Sequence, residues 1–144
     1  MSAPGDELAA LVAAGDLAGA ARLLGRPYEL AGEVVEGDRR GRDLGFPTAN
    51  LALDPGQPLP PKGIYAGAAL DHRAAISIGV NPHFGGNVLR VEAHLLDFDG
   101  DLYGRRLALE LWERLRDERA FGSLEELVAA IADDVAAARR VVRP

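Results

Sequence analysis

Short runs of alternating apolar and polar residues, broken every few positions by glycine, proline or aspartate, hold this chain to a fold of short antiparallel strands. The clearest run is Val88 to Leu96, where Leu89, Val91, Ala93 and Leu95 share one face and Arg90, Glu92 and His94 the other. Tyr28 to Glu36 predicts an opening strand, Ala49, Leu51 and Leu53 a short one, and Leu107, Leu109 and Leu111 a late one. Gly63 to Leu70 and Arg73 to Val80 read as a hairpin around Asp71-His72. The Asp-Gly turn in Asp97-Phe98-Asp99-Gly100-Asp101 predicts a second hairpin into the 107–111 strand.

Helical spacing occurs only near the two ends. From Asp6 to Leu24 it is interrupted by Gly15-Asp16, which predicts two short helices. Ser123 with Glu126 forms a capping box ahead of Leu124, Leu127, Val128, Ile131 and Val135, predicting a final amphipathic helix that covers the core. Between these lie a glycine- and arginine-rich loop at 37–46 and a proline-rich excursion through Pro55, Pro58, Pro60 and Pro61. Six or so strands closed by one helix give a mainly β chain, an antiparallel barrel or sandwich, and its 144 residues suit one domain.

Composition excludes several chemistries. There is no cysteine, so disulfides, thiolate catalysis and cysteine metal sites are ruled out. Lys62 is the only lysine, which removes the P-loop lysine; phosphate chemistry would need arginine, backbone amides or a metal. The net charge of −6 and 6% aromatic content oppose an oligonucleotide-binding barrel. Acidic residues near the N-terminus, where a secretory signal carries basic ones, and the lack of an apolar run near roughly 18 residues point to a cytoplasmic protein without membrane association.

Individual constellations sort by spacing. Asp97, Asp99 and Asp101 do not make an EF-hand, because Leu102 and Ala108 stand where that loop needs glycine and glutamate. His72, His83 and His94 fit no zinc spacing. Gly37, Gly41 and Gly45 match neither dinucleotide nor Walker glycines, yet Arg39, Arg40 and Arg42 concentrate positive charge beside them, so the segment is either a plain loop or an anion site. In Pro47-Thr48-Ala49-Asn50, alternation puts Thr48 and Asn50 on one strand face with two neutral oxygens. Such a sparse pair suits magnesium, which completes its shell with phosphate and water; the plain alternative is a turn threonine and an edge asparagine.

The string Gly37-Asp38-Arg39-Arg40-Gly41-Arg42-Asp43-Leu44-Gly45-Phe46-Pro47-Thr48-Ala49-Asn50 resembles the signature of the riboflavin kinases. The resemblance continues through Gly63-Ile64-Tyr65-Ala66, Ser77-Ile78-Gly79-Val80-Asn81-Pro82, Val91-Glu92-Ala93-His94-Leu95-Leu96-Asp97-Phe98, Asp101-Leu102-Tyr103-Gly104 and Leu115-Arg116-Asp117-Glu118-Arg119-Ala120-Phe121, with departures near Val80, Asn81 and His83. It implies a six-stranded antiparallel Greek-key β-barrel with a C-terminal helix over 25–144. Residues 1–24 resemble the linker after the adenylyltransferase module of bacterial bifunctional FAD synthetases.

The activity implied is transfer of the ATP γ-phosphoryl group to the terminal ribityl hydroxyl of riboflavin, giving FMN and ADP. By the same resemblance, Gly37, Arg39, Arg40, Gly41, Arg42, Gly45 and Thr48 bind the ATP phosphates and Thr48 and Asn50 hold Mg2+. Arg116 and Phe121 seat the flavin, Glu92 is the catalytic base, and the 54–62 and 81–87 connections border the mouth. With no His-x-x-His nucleotidyl-transfer motif in the sequence, FAD formation is not expected, and a separate adenylyltransferase becomes a candidate partner of a monomeric kinase. The competing reading is a flavin- or nucleotide-binding module that keeps the barrel without turnover.

Overall fold

A computed structural model describes residues 4–35, 48–80, 89–118 and 121–144. Its strands are β1 (Tyr28–Val35), β2 (Ala49–Leu53), β3 (Gly63–Ala69), β4 (His72–Val80), β5 (Leu89–Leu95) and β6 (Arg106–Arg116). They close into an antiparallel barrel in the order β1-β2-β5-β4-β3-β6, the predicted six-stranded Greek-key barrel. Alternation works as read from the sequence. Leu30, Val34, Leu51, Tyr65, Ile76, Ile78, Val91, Ala93, Leu107, Leu109 and Leu111 point inward and form one core.

The β3–β4 hairpin turns on Leu70 and Asp71, both at positive φ (52° and 65°), the backbone that a two-residue turn needs to match strand twist. The second expected hairpin does not form. β5 lies between β2 and β4, and β6 between β1 and β3, so the Asp97–Asp101 turn starts a crossing over the barrel end. A turn signal fixes where a strand stops; its neighbour is set by which edge remains open as the barrel closes.

Two helices precede the barrel, α1 (Pro4–Ala13) and α2 (Leu17–Leu24). Asp16 caps α2 by accepting a bond from the Gly19 N–H at 2.8 Å, and Gly25 ends it at φ 75° with its N–H on the Ala21 carbonyl. Val12, Leu17 and Ala20 are buried in the same core as the strands, so the N-terminal helices pack on the barrel. Leu17→Ala is therefore expected to destabilise the whole chain by about 2–5 kcal/mol, read as a lower denaturation midpoint with an unchanged slope.

The proline-rich connection is fastened to the barrel. Gln57 Oε1 accepts from the Ala31 N–H at 2.7 Å and its Nε2 donates to the Ala31 carbonyl at 2.8 Å, so one side chain continues the β1 ladder beyond β2. Tyr28 donates to the Pro58 carbonyl at 2.5 Å, and Tyr65 donates to that of Pro61. Burial pushes both phenols above their usual pKa, which keeps them neutral donors.

The C-terminal helix α3 (Leu124–Arg140) starts at the expected cap, Ser123, whose hydroxyl accepts from the Glu126 N–H at 3.2 Å. Its packing differs from expectation. Leu124 is exposed, Leu127, Val128, Ile131 and Val135 are half-buried, and the buried stripe is Ala130, Asp134 and Ala138. The helix lies on the outside of β3 and β4, where Ala66, Leu96 and Ala138 form a small second core, and it does not cover the main one. Small side chains on both surfaces permit that close approach.

Its far end is held by polar contacts. Arg73 donates to the Ala138 and Val141 carbonyls at 3.0 and 2.5 Å, and Arg139 grips Asp97 with two bonds at 2.8 and 2.9 Å. Hydrogen bonding to Arg139 holds the Asp97 carboxyl below its ordinary range. No helix among the described residues is long and apolar enough to cross a membrane.

Candidate active site

Strand register brings several candidate residues into one line. Asn50 of β2 pairs with Glu92 of β5, Glu92 with Ser77 of β4, Ser77 with Ile64 of β3, and Ile64 with Arg116 of β6. Directly paired residues project from the same face. This face is the outer one, because Ala49, Leu51, Val91, Ala93, Ile76, Ile78 and Tyr65 on either side belong to the core. Asn50 and Glu92 are thus neighbours across one ladder, with Cα atoms about 4.5–5.5 Å apart. Arg116 lies three strands beyond Glu92, about 14 Å along the sheet at the usual 4.8 Å spacing.

Asn50 is only 8% exposed although it lies opposite the core-facing set, and its Oδ1 is buried with no hydrogen-bond partner among the described residues. A buried acceptor without a donor costs about 1–3 kcal/mol. That cost is removed if a cation meets the oxygen. Glu92 is half-buried where the strand pattern alone predicts a solvent-facing residue. Thr48, also half-buried, immediately precedes β2.

Arg116 is committed to a contact within the chain. Its Nε and Nη2 donate to Oδ1 and Oδ2 of Asp134 on α3, both at 2.8 Å, and Nη1 donates to the Asp117 carbonyl at 3.0 Å. The guanidinium carbon stands 5.8 Å from the centre of the Phe121 ring, within cation–π range. Arg116 and Phe121 therefore meet, at the opposite end of the line from Asn50. Gly37, Arg39, Arg40, Gly41, Arg42 and Gly45, like His83, lie outside the described residues.

Three residues enter this surface that the sequence reading gave no role. Ser77 faces Glu92, Asp134 grips Arg116, and the Glu118 carboxylate sits where a Cβ on Gly79 would be, so that a side chain there would displace it. Alternation in β4 gives the face of Ser77, but its partner follows only from the β4–β5 register. Asp134 was detectable as an acidic residue in the stripe with Ala130 and Ala138.

Among known proteins, the family model described as riboflavin kinase matches residues 24–142. The chain is 44% identical over 138 residues to a bifunctional riboflavin kinase/FMN adenylyltransferase of Pseudomonas fluorescens, covering 92% of this chain and 44% of that protein. It spans less than half the length of the curated relatives it matches. A crystal structure described as a macrolide-efflux protein from Streptococcus pneumoniae superposes with a TM-score of 0.86 at 33% identity, over 95% of this chain and 46% of that one. A riboflavin kinase from Trypanosoma brucei superposes at 0.58 and 31% identity, over 79% of this chain and 78% of that one. With its closed six-stranded barrel and a family match over most of its length, this chain belongs to the riboflavin kinase family.

Proposed function

We propose that this chain transfers the γ-phosphoryl group of ATP to the terminal ribityl hydroxyl of riboflavin, forming FMN and ADP. The observation that carries the reading is the pairing of Asn50 with Glu92 across the β2–β5 ladder: an unsatisfied oxygen stands beside a carboxylate on one outer face. That line of partners continues to Arg116 and Phe121, where the flavin ring has an aromatic neighbour while its ribityl chain runs back toward Glu92.

In this arrangement Glu92 accepts the hydroxyl proton as the new oxygen–phosphorus bond develops, and ADP leaves with the electrons of the broken bond. Asn50 Oδ1 and the Thr48 hydroxyl are neutral oxygens suited to a magnesium ion that also binds the ATP phosphates. Bound there, Mg2+ supplies charge neutralisation for the transferred group. Gly37, Gly41 and Gly45 supply backbone amides, and Arg39, Arg40 and Arg42 supply cationic charge, for the same phosphates.

The soluble substrates ATP and riboflavin accord with a cytoplasmic enzyme, and a barrel in which each described strand pairs on both sides accords with a monomer. FMN made here is the substrate an FMN adenylyltransferase consumes, so such an activity is the natural partner, on another chain or in a longer form of this one.

The test is a turnover assay. Protein incubated with riboflavin, ATP and Mg2+ is expected to accumulate FMN through many turnovers, followed by chromatography. Product formation should stop in chelator and return when Mg2+ is restored. Flavin occupancy limited to one equivalent, with no FMN accumulating, would instead identify the module as a binder.

A further inference from the structure

The buried stripe of α3 reads Ala130, Asp134, Ala138, three successive positions four residues apart. Two of them are small and apolar. The third is a carboxylate that is 7% exposed and bound by both arms of Arg116. As a stabilising device the pair is poor, since replacing a buried ion pair with well-packed apolar side chains is often neutral or favourable. The helix has other anchors in Arg73 and Arg139.

What the pair does fix is Arg116, which in turn touches Asp117 and Phe121. Asp134 holds Arg116 at the end of β6, Arg116 also bonds the Asp117 carbonyl, and the Phe121 ring lies against the same guanidinium. Between them, Glu118 rests over Gly79, two residues along β4 from Ser77, the partner of Glu92. Arg116, Glu118 and Phe121 are thus each held in place, Glu118 on the face that carries Glu92.

We propose that Asp134 is a positioning residue for the flavin substrate, acting through Arg116 to hold Phe121 at the distance from Glu92 that a riboflavin molecule spans. The inference rests on the kinase reading and goes beyond it, because it assigns flavin affinity to a buried residue on the terminal helix that touches no substrate. Arg116, with Nε, Nη1 and Nη2 all bonded within the chain, serves as the link in this clasp.

The test compares Asp134→Asn, Asp134→Glu and the apolar pair replacement Arg116→Met/Asp134→Leu with the wild type. Asp134→Asn is expected to raise the riboflavin KM about 10- to 100-fold. Its KM for ATP and its kcat at saturating riboflavin should stay near wild type, while its Tm falls because one partner of a buried ion pair is lost. The apolar pair should keep Tm and lose riboflavin affinity equally, and Asp134→Glu, which restores the carboxylate, should recover part of it. An unchanged riboflavin KM in folded Asp134→Asn would overturn the inference, as would parallel losses in ATP KM and kcat. If the wild type forms no FMN, the kinase reading fails by itself. Quenching of riboflavin fluorescence then decides the role of Asp134: weaker binding in Asp134→Asn supports it, and equal binding, or no binding by the wild type, overturns it.

Discussion

FMN formation by Glu92→Gln is expected to be slower by about 10² to 10⁴, the usual contribution of a positioned general base. The substitution keeps the size of the side chain and removes only its capacity to accept a full proton. Val91 and Ala93, which flank it and are buried, keep their places in the core, so the barrel should close as before. The loss should fall on kcat, with riboflavin KM little changed, because the proton moves only as the transition state is reached. His94→Gln is the control: His94 lies two residues further along β5, opposite Ala75, and its replacement should alter turnover little. Near-normal kcat in folded Glu92→Gln would remove the carboxylate from the chemistry.

The second large effect is expected at Asn50. Asn50→Ala deletes an oxygen that has no hydrogen-bond partner among the described residues, so the fold should lose little stability from the loss of that atom. If the oxygen binds Mg2+ with the ATP phosphates, the Mg2+ concentration for half-maximal rate should rise at least about 10- to 100-fold, the cost already seen when a ligand's supporting partner is removed. Riboflavin binding, read by fluorescence quenching without nucleotide, should be unchanged. Thr48→Ala should shift the Mg2+ requirement in the same direction. Equal losses of flavin affinity and Mg2+ response would show that Asn50 supports the sheet in place of the phosphate side of the site.

What could be read from the sequence depended on how local the cause was. The alternation of Leu89 to Leu95 and of Leu107 to Leu111 gave the inward faces, and the Ser123 cap gave the start of the last helix, because each follows from a few neighbouring residues. The relation of β5 to β6 did not follow, since a turn at Asp97 is compatible with a hairpin or with a crossing. The helix face was misread for a related reason. Leu127, Val128 and Ile131 form the most hydrophobic stripe, but contact with the outside of β3 and β4 favours the narrower stripe through Ala130 and Ala138.

Of the candidate site, Glu92 and Asn50 were legible in the sequence as a carboxylate and a neutral oxygen on strand faces. Their adjacency was not, since it is a property of strand register. Arg116 was named as a flavin contact by resemblance alone, and its bond to Asp134, a partner on a separate element, was not legible in the sequence.

The β2–β5 ladder joins strands that flank the whole β3–β4 hairpin in the sequence, and among the described residues three pairs connect them: Ala49 with Ala93, Asn50 with Glu92 and Leu51 with Val91. Joining them requires a long loop to close for a small return in contacts, whereas the β3–β4 hairpin is local and has seven registered pairs. In a folding sequence governed by loop entropy, hairpins form early and this short seam is sealed late. Asn50 and Glu92 lie at its middle pair. An incompletely folded chain can therefore contain every strand and still lack the juxtaposition of oxygen and carboxylate, so on the roles proposed for Asn50 and Glu92 the site would be completed only when this seam closes.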